Sequence, residues 1–291
     1  MNQQTDLGGA FPLPGTSLVL NRMGYGAMQL AGPHVWGPPK DSAAAVAVLR
    51  EAVEQGVNHI DTADFYGPHV TNEIIKKALH PYPEGLTIVT KIGYSRGADQ
   101  SWNPAPSEKD LTNSVSDNLK NLGLETLEVV NLRLDKADSL DVVERALTVL
   151  IGFKKKGLIR HLGLSNVTPG QFAKARRMTE IVCVQNEYNL VHREDDSFID
   201  QLASVGVAFV PFFPLGGFRP LETSALEKAA KTLGASKMQV ALAWLFHRSP
   251  NILLIPGTSS VAHLKENLKA ATLKLSGELL SELNQIDSKG G

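Results

Sequence analysis

A carboxylate, a phenol, an ammonium and a guanidinium stand at the ends of successive β-like runs in this chain. Asp61 and Tyr66 lie in "HIDTADFYG", Lys91 closes "LTIVTK", and Arg133 closes "LEVVNLR". Each alone has an ordinary role: an Asp caps the next helix, a Tyr packs its ring with a wet hydroxyl, a Lys is solvated, an Arg pairs with an acid. Together they do proton chemistry. A phenol titrates at about 10 in isolation. An ammonium in a dry pocket favours the phenolate, and a carboxylate bound to that ammonium keeps it charged and in position. Such a phenol suits a general acid that protonates a carbonyl oxygen, so carbonyl reduction is the reaction these residue types imply. The stretch "VVNLRLD" adds Asn131, two residues before Arg133 on the same face of an apolar strand, where a polar group without a partner is costly.

These residues need a frame that brings strand ends to one place. Eight β-like runs, 22–30, 57–61, 86–91, 127–133, 159–166, 181–186, 207–212 and 252–256, alternate with stretches of helical period. Helical stretches include 41–55, 107–122, 140–156, 168–179, 194–205, 223–247 and 260–271, and Gly56, Gly157 and Gly206 follow three of them as C-caps. Strand then helix, repeated eight times in under 300 residues, is the count of a (β/α)8 TIM barrel. A doubly wound sheet is the runner-up, but no G-x-G-x-x-G opens a βα unit, and Gly24 and Gly26 of "GYGAM" do not supply one. Active sites of such barrels gather at the C-terminal ends of the strands, which puts Asp61, Tyr66, Lys91 and Arg133 at neighbouring mouths. The segment 7–20 reads as an N-terminal β-hairpin capping the barrel floor, and the irregular stretch 93–106 is long enough to be functional. No break in composition divides residues 1–291, so one domain is expected.

At these positions the chain resembles the aldo-keto reductase superfamily, closest to its bacterial pyridoxal-reductase-like branch. "DTADFYG" is similar to the family's D-T-A-x-x-Y-G signature, Lys91 stands at its catalytic lysine, and the likeness runs over about residues 16 to 288. The resemblance implies catalysis by Asp61, Tyr66 and Lys91, with NADPH as cofactor and NADH as a second candidate. It also implies that Ser165 and Asn166 of "GLSN", with Gln185, bind the nicotinamide carboxamide, and that Phe212 of "PFFPLGG" stacks on the ring. Ala27, Met28, Pro214, Leu215 and Gly216 would line the same groove. "IPGTSSVAHLKEN" is similar to the adenosine-phosphate loop, with Gly257, Thr258, Ser259, His263 and Lys265 around the 2′-phosphate and Glu266 and Asn267 at the adenine. Gly257 and His263 stand where the family often has Lys or Arg. A further departure is the family's catalytic histidine: aligned without a gap from Glu128, its place falls on Arg133, whereas a two-residue shift puts Asn131 there. Trp36, Phe65, Trp102 and Phe218 are candidates for the substrate walls, with pyridoxal as the suggested substrate.

Composition excludes several classes. Twenty-nine Lys plus Arg against 30 Asp plus Glu give a net charge of -1, with no excess to hold a phosphodiester backbone. The single Cys183 rules out an internal disulfide framework, and His59 with Asp61 lacks further ligands for a metal, so neither nucleic acid nor metal is expected. The start of the chain lacks a charged and apolar leader, no run of about 18 apolar residues crosses a membrane, and a cytoplasmic location is expected. Two other functions use the same residues: a Schiff-base aldolase with Lys91 as nucleophile, and a nicotinamide-binding regulatory subunit with little turnover. The oligomeric state is not legible in the sequence.

Overall fold

Parallel strands buried on both faces build the frame, and each is short. The computed structural model describes residues 6–217, 221 and 223–286. β1 (Ala10–Pro12) and β2 (Val19–Asn21) form an antiparallel hairpin. β3 (Tyr25–Gly26), β4 (His59–Asp61) and β5 (Thr87–Ile92) begin a parallel sheet, and β6 (Tyr94–Arg96) and β7 (Trp102–Pro104) form a second hairpin directly after β5. The sheet continues through β8 (Leu127–Arg133), β9 (Ile159–Ser165), β10 (Cys183–Gln185) and β11 (Ala208–Phe209), seven parallel strands in chain order.

The eighth stave closes the ring. Segment 251–257 bridges Phe209 on one side through Ile252, and Met23 and Gly26 on the other through Leu254 and Gly257. Backbone bonds from Gly24 N to Leu254 O (2.8 Å) and from Leu253 N to Phe209 O (2.9 Å) span both joints. Pro256 has no N–H to give, so this stave makes bridges rather than a continuous ladder. At the seam the backbones approach so closely that a Cβ on Gly26 would strike the Ile255 carbonyl. The fold is therefore a (β/α)8 barrel.

Ten α-helices, α1 (Ser42–Glu54), α2 (Val70–Leu79), α3 (Glu108–Leu122), α4 (Leu140–Lys155), α5 (Pro169–Arg176), α6 (Asp196–Ser204), α7 (Ser224–Leu233), α8 (Lys237–Arg248), α9 (Val261–Lys269) and α10 (Gly277–Asn284), are found among the described residues. Side chains of Asp41, Ser107, Ser139, Thr168, Thr223, Ser236, Ser260 and Ser276 accept a backbone N–H at the helix starts, which explains why so many boundaries are legible.

The structure corrects several expected elements. The run 22–30 holds only β3, because Ala27–Leu30 winds into a 3-10 turn. Helix 223–247 is two helices: Gly234 takes φ 58 as a left-handed C-cap, and Ser236 with Gln239 forms a capping box that starts α8. The irregular stretch 93–106 contains the β6–β7 hairpin.

Two apolar cores flank the sheet. The larger one lies between the strands and the helices; the smaller one lies inside the barrel. In the latter, Leu13 and Leu20 of the first hairpin join Val89, Val129, Val210 and Leu253, so the hairpin plugs the floor and leaves only the opposite mouth open.

Candidate active site

Strand register decides which polar side chains meet. β4 pairs with β5 so that Asp61 lies beside Val89, and β5 pairs with β8 so that Lys91 lies beside Asn131; Arg133 in turn lies beside Ser165 of β9. Asp61 and Lys91 are each 3 % exposed. Lys91 Nζ donates to Asp61 Oδ1 at 2.5 Å and to the Thr62 carbonyl at 3.0 Å, and it sits 5.1 Å from the Tyr66 ring centroid. Burial pulls the ammonium toward neutrality, but the Asp61 carboxylate and the neighbouring Tyr66 outweigh it, so Lys91 titrates above the ordinary lysine value. The second Asp61 oxygen accepts from Gln185 Nε2 at 2.8 Å. That bond fixes the Gln185 amide, and its Oε1 is left buried without a partner.

Two cavities meet at this pair. One, of about 120 Å³, is bounded by Gly26, Met28, Asp61, Tyr66, Gln185, Phe212, Pro214, Leu215 and Gly257. The other, of about 230 Å³, is bounded by Met28, Phe65, Tyr66, Lys91, Trp102, Arg133, Gln185, Phe212 and Phe213. Tyr66 and Gln185 belong to both. Asn131 belongs to neither: it is fully buried, accepts from Cys183 Sγ at 3.2 Å, and would clash with any side chain on Gly163. Arg133 and not Asn131 therefore reaches the mouth, where its guanidinium lies over the rings of Tyr94 (5.3 Å) and Phe212 (5.1 Å).

The remaining sequence-derived candidates divide. Ser165 accepts from Arg133 Nη1 at 3.3 Å, and Asn166, at φ 58, donates its amide to the Leu134 carbonyl, so both brace the rim without bounding either cavity. Ala27 and Gly216 also lie outside the cavity walls, next to Met28 and Leu215, which bound the smaller one. The Thr258 hydroxyl caps Ser260 N, while Ser259 borders a separate pocket with Gln29 and Lys40. His263 is exposed on α9, and Lys265 pairs with Glu51 of α1 at 3.1 Å instead of standing free beside the loop. The Glu266 carbonyl accepts from Gln239, and Asn267 is buried. Phe65 and Trp102 meet edge to face at 5.8 Å in the larger cavity. Trp36 stays outside it, its ring 5.2 Å from the guanidinium carbon of Arg96, which also lies 3.9 Å from the Trp102 ring. Phe218 lies outside the described residues.

Sequence reasoning missed the supports. Arg96 donates to the Val35 (2.7 Å) and His34 carbonyls and so ties the β6–β7 hairpin to the loop after β3. Behind β4, Thr62 donates to Asn72, Asn72 to Asp64 and Asn118, and Thr90 to Asn118, a buried network that holds the "DTADFYG" loop between α2 and α3. A signal did exist, since Asn118 interrupts the apolar stripe Leu111, Val115, Leu122 of α3.

His59, one face-repeat before Asp61, points into the barrel interior with neither ring nitrogen bonded. Burial pushes it down to about 4. An unfolded histidine titrates at about 6.5, so between these values the unfolded chain binds a proton that the folded chain refuses. Stability is full above that range and falls as pH drops through it. We expect the wild type to lose roughly 2 to 3 kcal/mol more than His59→Leu between pH 7 and pH 4.5. Urea denaturation of both at the two pH values measures it; parallel losses would refute the assignment.

Comparison with known proteins agrees with this fold. The profile of the Aldo/keto reductase family matches residues 22–288. Pyridoxine 4-dehydrogenase of Escherichia coli K12 is 62% identical over 271 residues, covering 92% of this chain and 95% of that protein. The crystal structure of a thermostable aldo-keto reductase bound to the inhibitor epalrestat superposes with a TM-score of 0.81 at 29% identity, covering 96% of this chain and 99% of the other. An aldo/keto reductase from Klebsiella pneumoniae, solved with NADP and acetate, has a TM-score of 0.76 at 20% identity over 92% of each chain. The protein is thus an oxidoreductase whose chain belongs to the aldo/keto reductase family.

Proposed function

We propose that the protein interconverts small aromatic aldehydes and their alcohols with NADPH, and that pyridoxal is among its substrates. The observation that carries this reading is the position of Tyr66. Its side chain bounds both cavities, beside a buried Lys91–Asp61 pair. A dinucleotide in the smaller cavity and a carbonyl compound in the larger one would meet at its hydroxyl.

The residues present fit a nicotinamide. Gln185 offers an orphaned buried carbonyl oxygen where a carboxamide N–H needs an acceptor, and Phe212 and the bare backbone of Gly26 give a flat slot. When bound, the reduced dinucleotide supplies a hydride to the carbonyl carbon. Tyr66 gives its hydroxyl proton to the carbonyl oxygen as the new C–H bond forms, and the alcohol leaves. Lys91 stays charged beside Tyr66 and favours loss of that proton, while Asp61 holds Lys91 in place. Arg133, where the family usually has histidine, is a permanent cation above the oxygen that gains charge. The Schiff-base alternative needs a neutral amine, and the raised Lys91 pKa opposes it. The name of the Escherichia coli relative supports a pyridoxine–pyridoxal pair, and the Klebsiella pneumoniae complex supports NADP. Since Lys265, a candidate for the proposed 2′-phosphate site, is paired with Glu51, the preference for NADPH over NADH should be modest.

The test is consumption of NADPH with pyridoxal and benzaldehyde, repeated with NADH. Turnover with both dinucleotides, faster with NADPH, is expected. Failure of either aldehyde to react with either dinucleotide would sink the proposal.

A further inference from the structure

Arg133 is an unusual arginine in this molecule. Arg248 is saturated by Asp196 and Asp200, Arg193 reaches Asp196, and Arg22 donates to the carbonyls of Phe246, Ser249 and Ile252. Among the described residues the Arg133 guanidinium has one hydrogen bond, the 3.3 Å contact with Ser165 Oγ, for a group with five N–H donors. Among the described residues it makes no ion pair. The nearby carboxylates of Asp135 and Asp138 accept backbone N–H groups of their own loop instead. Yet Arg133 is half-buried, flanked by the Tyr94 and Phe212 rings, and bounds the cavity that holds Tyr66 and Lys91. The cavity wall thus carries a guanidinium that, among the described residues, forms no ion pair and leaves most of its donors unused.

A guanidinium fork matches two oxygens held in one plane at carboxylate-like spacing. In an aromatic aldehyde, the carbonyl oxygen and an oxygen on the adjacent ring carbon have that spacing; an oxygen at the para position points away. We propose that Arg133 is an anion receptor within the substrate cavity, selecting aldehydes that carry an ionisable hydroxyl ortho to the carbonyl. The assignment rests on the carbonyl-reduction reading above and specifies its substrate class. It also has a chemical reason: an ortho phenolate feeds electron density into the carbonyl and blunts it toward hydride, and a cation paired with that oxygen withdraws the density again. The balance of the step is unchanged, with hydride added to carbon, a proton added to oxygen from Tyr66, and NADPH oxidised to NADP⁺. Pyridoxal, whose ring hydroxyl adjoins its formyl group, belongs to this class.

The test compares kcat/KM for 2-hydroxybenzaldehyde, 2-methoxybenzaldehyde and 4-hydroxybenzaldehyde in wild type, Arg133→Met and Arg133→Lys. A charge-assisted hydrogen bond should give the wild type about a 10- to 100-fold preference for the 2-hydroxy compound over the 2-methoxy compound. Arg133→Met should reduce it to within about 3-fold, and Arg133→Lys, which keeps the charge but not the fork, should retain part of it. Inhibition by 2-hydroxybenzamide against 2-methoxybenzamide reads the same preference without turnover. Equal wild-type rates for the 2-hydroxy and 2-methoxy aldehydes, or a preference that survives in Arg133→Met, overturn the receptor and leave carbonyl reduction standing. No reaction with any aldehyde overturns both. Should Arg133→Met not fold, the wild-type ratio and the inhibitor pair decide alone.

Discussion

Tyr66→Phe is expected to lower kcat for aldehyde reduction by about 10²- to 10⁴-fold, the usual contribution of a positioned general acid. The substitution removes only a hydroxyl. The ring that packs on Phe65 at 5.3 Å and lies under Lys91 is kept, so folding and the shape of both cavities persist. Steady-state kinetics with pyridoxal, together with a thermal melt of the same preparation, separates loss of the proton donor from loss of structure. A folded variant whose kcat stays within about 10-fold of wild type would show that water or another side chain delivers the proton.

Lys91→Met is expected to act on stability as well as rate. Removing one partner leaves the Asp61 carboxylate buried with Gln185 as its side-chain donor, and breaking a buried pair this way costs about 3–5 kcal/mol. Adding Asp61→Asn discharges the orphan and should restore a large part of that loss while activity stays low. Urea unfolding of the two single variants and the double variant closes the cycle. If Lys91→Met costs less than about 1 kcal/mol, the 2.5 Å contact is not the buried pair inferred here.

The placement of the candidate site at the strand ends was legible because period-two strands make side-chain direction a matter of counting. Asp61 and Arg133 end β4 and β8 and Lys91 stands one residue before the end of β5; the register steps each of them two residues further along than the one on the preceding strand. The ungapped alignment favours Arg133 over Asn131; the two share a face and differ in depth, Asn131 being fully buried and Arg133 half-buried. The eighth stave was visible as an apolar run, whereas its lack of a continuous ladder follows from Pro256 and the tight Gly26 approach, which is tertiary information. α2 escaped notice because its N-cap, His69, takes φ 69 and makes no side-chain cap bond, so the usual start signal is missing. Lys265 looked free in sequence because its partner Glu51 is on a helix more than 200 positions away. The β6–β7 hairpin is held by Arg96 against the His34–Val35 carbonyls, a contact no local pattern encodes.

The contact of Arg96 with both Trp36 and Trp102 also gives the protein its own optical probe. Two of its three tryptophans lie at the rim, one of them in the wall of the larger cavity, while Trp244 is 1% exposed and bonded to Asn284. Ligand entry must change the surroundings of Trp102 and leave those of Trp244 alone. Intrinsic fluorescence therefore divides into a deep, constant emitter and a superficial one that reports occupancy, with no label attached.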